Sequence, residues 1–298
     1  MSEPLFGRVL TAMVTPFAPD GAIDFDVARR VARFLVDEGS EGLVVAGSTG
    51  EGSSLSDDEK LNLFACVAEA VTVPVIAGST FANTQQSVAL TAQVKATGVA
   101  GVLATTPAYA RPNQAGIAAH LSAIAENTTL PIMLYDIPAR TGRKIASATT
   151  VALVKNHHNI IALKDASGDL GAAAHTKAVL GDALDLYSGD DATLLTFLAL
   201  GAVGVVSVAA HWAGPEIVGV VSAVEREKWD KARRLNERLA PSYAFVGSEA
   251  YPNPMPAKAA LRFLGFNVGE CRLPHAASDP ELAAAAADVV TALKTSRG

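Results

Sequence analysis

Apolar and polar positions alternate along this chain in blocks. Eight short runs are rich in β-branched residues and almost continuously apolar: residues 8–16 (RVLTAMVTP), 41–48 (EGLVVAGS), 73–79 (VPVIAGS), 101–107 (GVLATTP), 131–138 (PIMLYDIP), 160–167 (IIALKDAS), 184–191 (LDLYSGDD) and 204–210 (GVVSVAA). Strands covered on both faces read this way, so the pattern predicts a parallel sheet. Between the runs the period becomes that of an amphipathic helix. Over 24–39, Val27, Val31, Phe34 and Leu35 share one face and Gly39 supplies a stop. At the start of 56–71, Ser56 and Glu59 have the spacing of a capping box. Successive strands begin about 20 to 33 residues apart, which suits βαβ units. Eight such units in a row predict an α/β fold, a closed (β/α)8 TIM barrel rather than an open sheet. After residue 211 the chain turns helical. The expected organisation is a barrel over 1–225 and a C-terminal helical appendage over 226–298, with a Gly- and Pro-rich loop at 247–256.

Composition narrows the function classes. The 298 residues are 50% hydrophobic and 18% charged, with a formal net charge of −6. A basic stripe, the footprint of a nucleic-acid binder, is absent, and the cluster KARRLNERL at 231–239 reads as a solvated helix face. The opening MSEPLFGRVL lacks a basic region followed by a long apolar run, so no signal peptide is expected. Apolar stretches are broken before about 18 residues, so no membrane span is expected either. Cys66 and Cys271 lie far apart in no metal-like spacing, as expected of reduced thiols in a cytoplasmic protein.

In a barrel of this kind chemistry gathers where strands run into the following loops. Lys164 ends an apolar strand, where an ammonium is costly to bury. It is either a strand-end partner of Asp165, although adjacent strand residues face opposite ways, or a nucleophilic amine whose desolvation lets it attack a ketone. The stretch AGSTGEG is either a plain strand-to-helix turn or an anion cradle in which Ser48 and Thr49 bind a small carboxylate or pass a proton. Tyr135 reads as core packing or as part of a site, and Tyr109 as a loop aromatic. Arg140, between Pro138 and Gly142, is a solvated loop arginine or a fork for a carboxylate. Metal chemistry is disfavoured: His157 and His158 precede the sixth strand, at the opposite barrel end, and no HxH or HExxH pattern occurs. Nor is there a GxSxG elbow of a serine hydrolase.

The ordered motifs GSTGE, TTPAYARPNQAG, LYDIPARTG, IIALKDASGD and YSGDD resemble the dihydrodipicolinate synthase / N-acetylneuraminate lyase family of pyruvate-dependent class I aldolases, from AMVTPF near the start to RLP at 272–274. The resemblance implies a lyase in which Lys164 forms an imine with pyruvate and Tyr135 shuttles protons. Ser48 would relay them to Tyr109, which reaches in from a neighbouring subunit. Ser48 and Thr49 would hold the pyruvate carboxylate, Arg140 the carboxylate of the second substrate, and Gly189 and Val206 would shape the pocket through their backbones. No cofactor and no metal are implied, and the partners are small molecules rather than nucleic acid or membrane. The implied assembly is a homotetramer, a dimer of dimers.

In the synthase branch the pyruvate enamine attacks aspartate-4-semialdehyde, giving 4-hydroxy-tetrahydrodipicolinate on the way to diaminopimelate and lysine. Arg140 and the short RPNQAG stretch resemble that branch. Three positions depart from it: Ser48 stands where synthases usually have a threonine, Ala108 where an aromatic residue is frequent, and Asp136 where asparagine is frequent. The loss of a ring at Ala108 weakens the stacking expected across the tight dimer interface and leaves a dimer open beside the tetramer. Two other classes remain: a related aldolase or dehydratase acting on a sugar acid such as 2-keto-3-deoxygluconate or sialic acid, and a non-enzymatic ligand sensor. The intact set of Lys164, Tyr135, Tyr109 and Ser48 argues against the sensor.

Family members that bind lysine do so with polar and acidic side chains, and the matching positions are Ser53, Asp57, Lys60, Ala82, Gln86 and Ala108. A missing carboxylate at Gln86 and a cation at Lys60 disfavour a cationic ligand. Lysine titrated into the activity assay is therefore expected to leave the rate unchanged; strong inhibition at sub-millimolar lysine would contradict this.

Overall fold

The computed structural model describes residues 3–80 and 82–295. Residues 1–2 and 296–298, at the outer ends of the two expected segments, lie outside them. Eight strands, β1 (Val9–Ala12), β2 (Gly42–Val45), β3 (Val75–Gly78), β4 (Gly101–Thr105), β5 (Ile132–Asp136), β6 (Ile160–Asp165), β7 (Asp185–Ser188) and β8 (Gly204–Ser207), form one closed barrel in chain order. All neighbours are parallel, and β1 pairs with β8 to close the ring. Each expected run contains one strand, but several end earlier than their apolar stretch. The run 8–16 stops at Ala12, and Met13 N–H instead reaches the Val44 carbonyl at 2.9 Å. The run 41–48 stops at Val45 because Ala46 turns into the left-handed region, φ 52°. Apolarity persists past the strand ends since these loops are buried at the mouth of the barrel.

The outer helices are α1 (Phe25–Asp37), α2 (Asp57–Ala70), α3 (Thr84–Val94), α4 (Gln114–Glu126), the single turn α5 (Pro138–Thr141), α6 (Ser147–Asn156), α7 (Leu170–Leu180), α8 (Leu194–Ala199) and α9 (Ala210–Glu225). The sequence signals work locally as physics requires. Asp24 accepts the Val27 N–H at 3.0 Å to cap α1, which buries Val27, Val31 and Leu35 and half-buries Phe34. Gly39 follows the helix at φ 101°, a conformation that only glycine adopts without strain. Ser56 and Glu59 make both bonds of the capping box on α2, at 3.2 and 2.8 Å.

Strand alternation separates two cores. Leu10, Val44, Ile76, Leu103, Met133 and Tyr187 fill the barrel interior. Leu43, Leu134, Leu163 and Val205 face the helices with Val31, Leu63 and Ile117. On β5 the inward parity of Met133 carries to Tyr135, and on β6 that of Ala162 carries to Lys164. His157 ends α6, with Nε2 2.8 Å from Ser122 Oγ, on the side from which β6 enters the barrel.

The chain after residue 211, read as helical, begins with two helices, α9 and α10 (Trp229–Val246), parted at Glu227, where φ is 57°. Trp212 of α9 donates from Nε1 to Ser242 Oγ of α10 at 3.0 Å, which fixes the pair. The 247–256 loop then leads into α11 (Met255–Phe263), and α12 (Pro280–Thr295) packs on α11 and α10. Both cysteines are free, Cys66 buried and Cys271 half-buried. Among the described residues no helix is long and apolar enough to cross a membrane.

Candidate active site

Lys164 and Tyr135 are direct register partners on β5 and β6, at the ends where both strands leave the barrel. Each is 4% exposed, and Lys164 Nζ lies 4.1 Å from the centre of the Tyr135 ring. Burial pulls the amine down to about 7; the buried Asp191 opposes this, and Arg140 adds to it. Burial also pushes the Tyr135 phenol up to about 12, against the Arg140 charge and a hydrogen bond with Ser48. A sizeable neutral fraction of amine thus faces a phenol that keeps its proton. Asp165 is not the partner of Lys164: its Oδ1 accepts the Ser167 N–H at 2.8 Å. Asp191 is held by the Ser207 hydroxyl and by the Val208 and Ala209 N–H groups, each at 2.9 Å.

The loop after β2 wraps the other side of the site. Ala46 and Glu51 both have positive φ, and a Cβ at Gly52 would lie 2.0 Å from the Ala46 carbonyl oxygen, so the turn closes only with glycine there. Ser48, half-buried, meets the Tyr135 hydroxyl. Thr49, 3% exposed, accepts a hydrogen bond from Asn253 Nδ2 at 3.0 Å. Arg140 sits on α5 and donates from Nη2 to the Asn253 carbonyl at 3.2 Å. Ser48, Thr105 and Arg140 line one cleft of about 450 Å³. An anion entering it meets hydroxyls and a guanidinium near a buried amine, a setting for imine chemistry on a carboxylated ketone.

The remaining candidates divide. Gly189 donates its N–H to Asp165 O at 2.7 Å, and a Cβ there would press on Ala166 at 2.8 Å. Val206 is buried in the barrel interior with Tyr135. Tyr109 is not brought to the site within the chain: it stands 98% exposed after β4, at φ 68°. Asn253, Glu51, Lys258 and Asp191 were not singled out by sequence reasoning. Asn253 lies in a stretch that reads only as a loop, and no periodicity connects it to Thr49. Among the described residues no group of three or more His, Cys, Asp or Glu is arranged to hold a metal ion.

The model of the dihydrodipicolinate synthetase family matches residues 5–293. The chain belongs to that family. A 4-hydroxy-tetrahydrodipicolinate synthase from Desulforamulus reducens is 43% identical over 276 residues, covering 92% of this chain and 93% of its own. One from Moorella thermoacetica is 46% identical over 274 residues, covering 90% and 92%. The crystal structure of the Cyanidioschyzon merolae enzyme with lysine bound superposes with a TM-score of 0.93 at 40% identity, covering 97% of this chain and 99% of that one. In this dihydrodipicolinate synthetase family member, Ser53, Lys60, Ala82 and Ala108, four of the positions matched to lysine binding, line the same cleft as Arg140. Lys60 is 1% exposed, and burial lowers its amine to about 8.

Asp136 lies next to Tyr135 but faces away from the cleft, its Oδ1 accepting the Ile145 N–H at 3.1 Å. Burial pushes its carboxyl up to about 7; the Ile145 bond opposes the rise and nearby Asp165 adds to it. The folded state therefore holds this proton more tightly than the unfolded chain. Asp136 destabilises the fold increasingly as pH rises above the ordinary carboxylate range, with the full effect above about 7. An asparagine keeps the Ile145 bond without the charge. Asp136→Asn is expected to raise the melting temperature more at about pH 8 than at about pH 5. An equal shift at both values in thermal melts would show that the carboxylate does not titrate in this way.

Proposed function

We propose that this chain condenses pyruvate with L-aspartate-4-semialdehyde to give 4-hydroxy-tetrahydrodipicolinate, through an imine on Lys164. The observation that carries the reading is the buried amine, drawn down to about 7, against the Tyr135 ring. The names of the relatives supply the choice of aldehyde.

Neutral Lys164 Nζ attacks the keto carbon of pyruvate, and the carbonyl oxygen leaves as water after taking two protons. Tyr135, hydrogen-bonded to Ser48, is placed to deliver and recover protons. Thr49 and Ser48 bind the pyruvate carboxylate. Loss of a methyl proton turns the imine into an enamine, whose carbon bonds to the aldehyde carbon while the aldehyde oxygen takes a proton. Arg140 holds the carboxylate of the aldehyde substrate. The amino group of the adduct then attacks the imine carbon, closes the ring and releases the Lys164 amine. Gly189 and Val206 shape the pocket through their backbones. No cofactor or metal enters this route.

The assembly we propose is a homotetramer built from dimers, in which Tyr109 is donated to the neighbouring site. The support is its place: Tyr109 stands 98% exposed next to Ala108, which lines the cleft, where a neighbouring subunit can cover it.

Borohydride reduction of the protein in pyruvate, followed by peptide mass spectrometry, is expected to place the adduct on Lys164; folded protein without an adduct would sink the imine reading. Lys164→Ala and Tyr109→Phe proteins are each expected to lose activity, by about 100-fold for Tyr109→Phe. Mixing them should restore part of it, because a hybrid dimer holds one site with both groups. No recovery on mixing would mean that Tyr109 does not act across an interface.

A further inference from the structure

Two charged side chains far apart in sequence meet inside the protein. Lys258 of α11 is fully buried, and its Nζ lies 2.6 Å from Oε1 of Glu51, which is 4% exposed. Glu51 belongs to the loop that carries Ser48 and Thr49. Its other carboxylate oxygen, Oε2, accepts the Arg272 N–H at 2.8 Å. The ammonium also donates to the Glu270 carbonyl at 2.9 Å and lies 4.2 Å from the centre of the Phe17 ring, so it is held on several sides. Burial lowers the Lys258 pKa and Glu51 holds it up.

This contact coincides with backbone that needs holding. Glu51 has a left-handed conformation, φ 53° and ψ 33°, which is unfavourable for a residue with a Cβ. Its N–H closes a turn onto the Ser48 carbonyl at 3.1 Å, and Thr15 Oγ1 donates to the Gly50 carbonyl at 2.6 Å. Asn253, five residues before Lys258, donates to Thr49 Oγ1. A hydroxyl that accepts there is left with its own hydrogen to give, which suits a carboxylate. Ser48 and Thr49 therefore lie in a turn whose last residue is fixed by Lys258 and whose Thr49 hydroxyl is oriented by Asn253. Charge points the same way. Glu51 lines the cleft, and an ionised carboxylate without its cation would repel an incoming anion.

We propose that Glu51 and Lys258 are positioning residues for pyruvate: the buried pair locks the turn and neutralises the carboxylate beside it, so that Ser48 and Thr49 are aimed at the pyruvate carboxylate. The inference rests on the imine reading above and deepens it. It assigns Lys258 of α11, outside the barrel, a part in binding the first substrate and none in binding the second.

The test compares wild type, Lys258→Met and the charge-free double variant Glu51→Gln/Lys258→Met. Each is titrated with pyruvate and trapped with borohydride, assayed with aspartate semialdehyde, and melted. In Lys258→Met the half-saturating pyruvate concentration is expected to rise about tenfold or more, while the KM for the aldehyde and kcat at saturating pyruvate stay within about twofold. The double variant removes the buried unpaired charge and should recover melting temperature, yet its half-saturation for pyruvate should stay high. A purely structural pair would let both recover together, so a double variant with wild-type pyruvate half-saturation overturns the proposal, as does an equal rise in both KM values. If Lys258→Met does not fold, the double variant decides; if that also fails, Asn253→Ala, altered only in a half-buried loop, is held to the same split. Wild-type protein that pyruvate does not label overturns the imine reading itself, a result separable from any of these.

Discussion

Keeping an amine out of water is the constraint around which this protein is arranged. A buried charge costs several kcal/mol even after the surroundings relax. Lys164 meets that cost by giving up its proton readily, its pKa drawn to about 7. The closed barrel, with apolar strands on every side, supplies a dry place for it at the strand ends. The aromatic face of Tyr135 and the distant negative charge of Asp191 keep the protonated form accessible, so the amine is poised between its two states.

The other buried ionisable groups follow different rules, and the differences sort them by role. Glu51 and Lys258 are paired and further satisfied by backbone groups. Asp191 is saturated by hydrogen-bond donors at the start of α9, where helix N–H groups favour negative charge. Asp136 has one backbone donor and an acidic neighbourhood, and so inclines to be neutral. Lys164 has no carboxylate within ion-pair distance among the described residues and packs instead against the Tyr135 ring. That difference marks Lys164 as the candidate reacting group, the others being held by partners.

Much of this was legible in the sequence because it is written locally. Strands buried on both faces need runs of Val, Ile, Leu and Ala, and those runs located all eight. The capping box at Ser56 and Glu59 and the stop at Gly39 depend only on near neighbours. Lys164 stood out because a charge ends an apolar strand. What could not be read was set by tertiary geometry. Strand ends were overextended at Ala12 and Val45 because buried loops are as apolar as strands. The contacts of Asn253 with Thr49 and of Lys258 with Glu51 span more than two hundred residues, a separation over which neither period nor spacing carries information. Tyr109 sits 98% exposed at the surface, where no contact among the described residues of the chain marks a role for it.

The long reach of those two contacts bears on how the protein is made. Synthesis delivers the N-terminal part first, and all eight strands leave the ribosome before Asn253 and Lys258 do. A nascent barrel would hold Lys164 and Tyr135 in register while the turn at Glu51 still lacked its cation and Thr49 its donor. On the roles proposed for these residues, the pyruvate site is complete only when α11 has joined the barrel, not when the ring of strands closes.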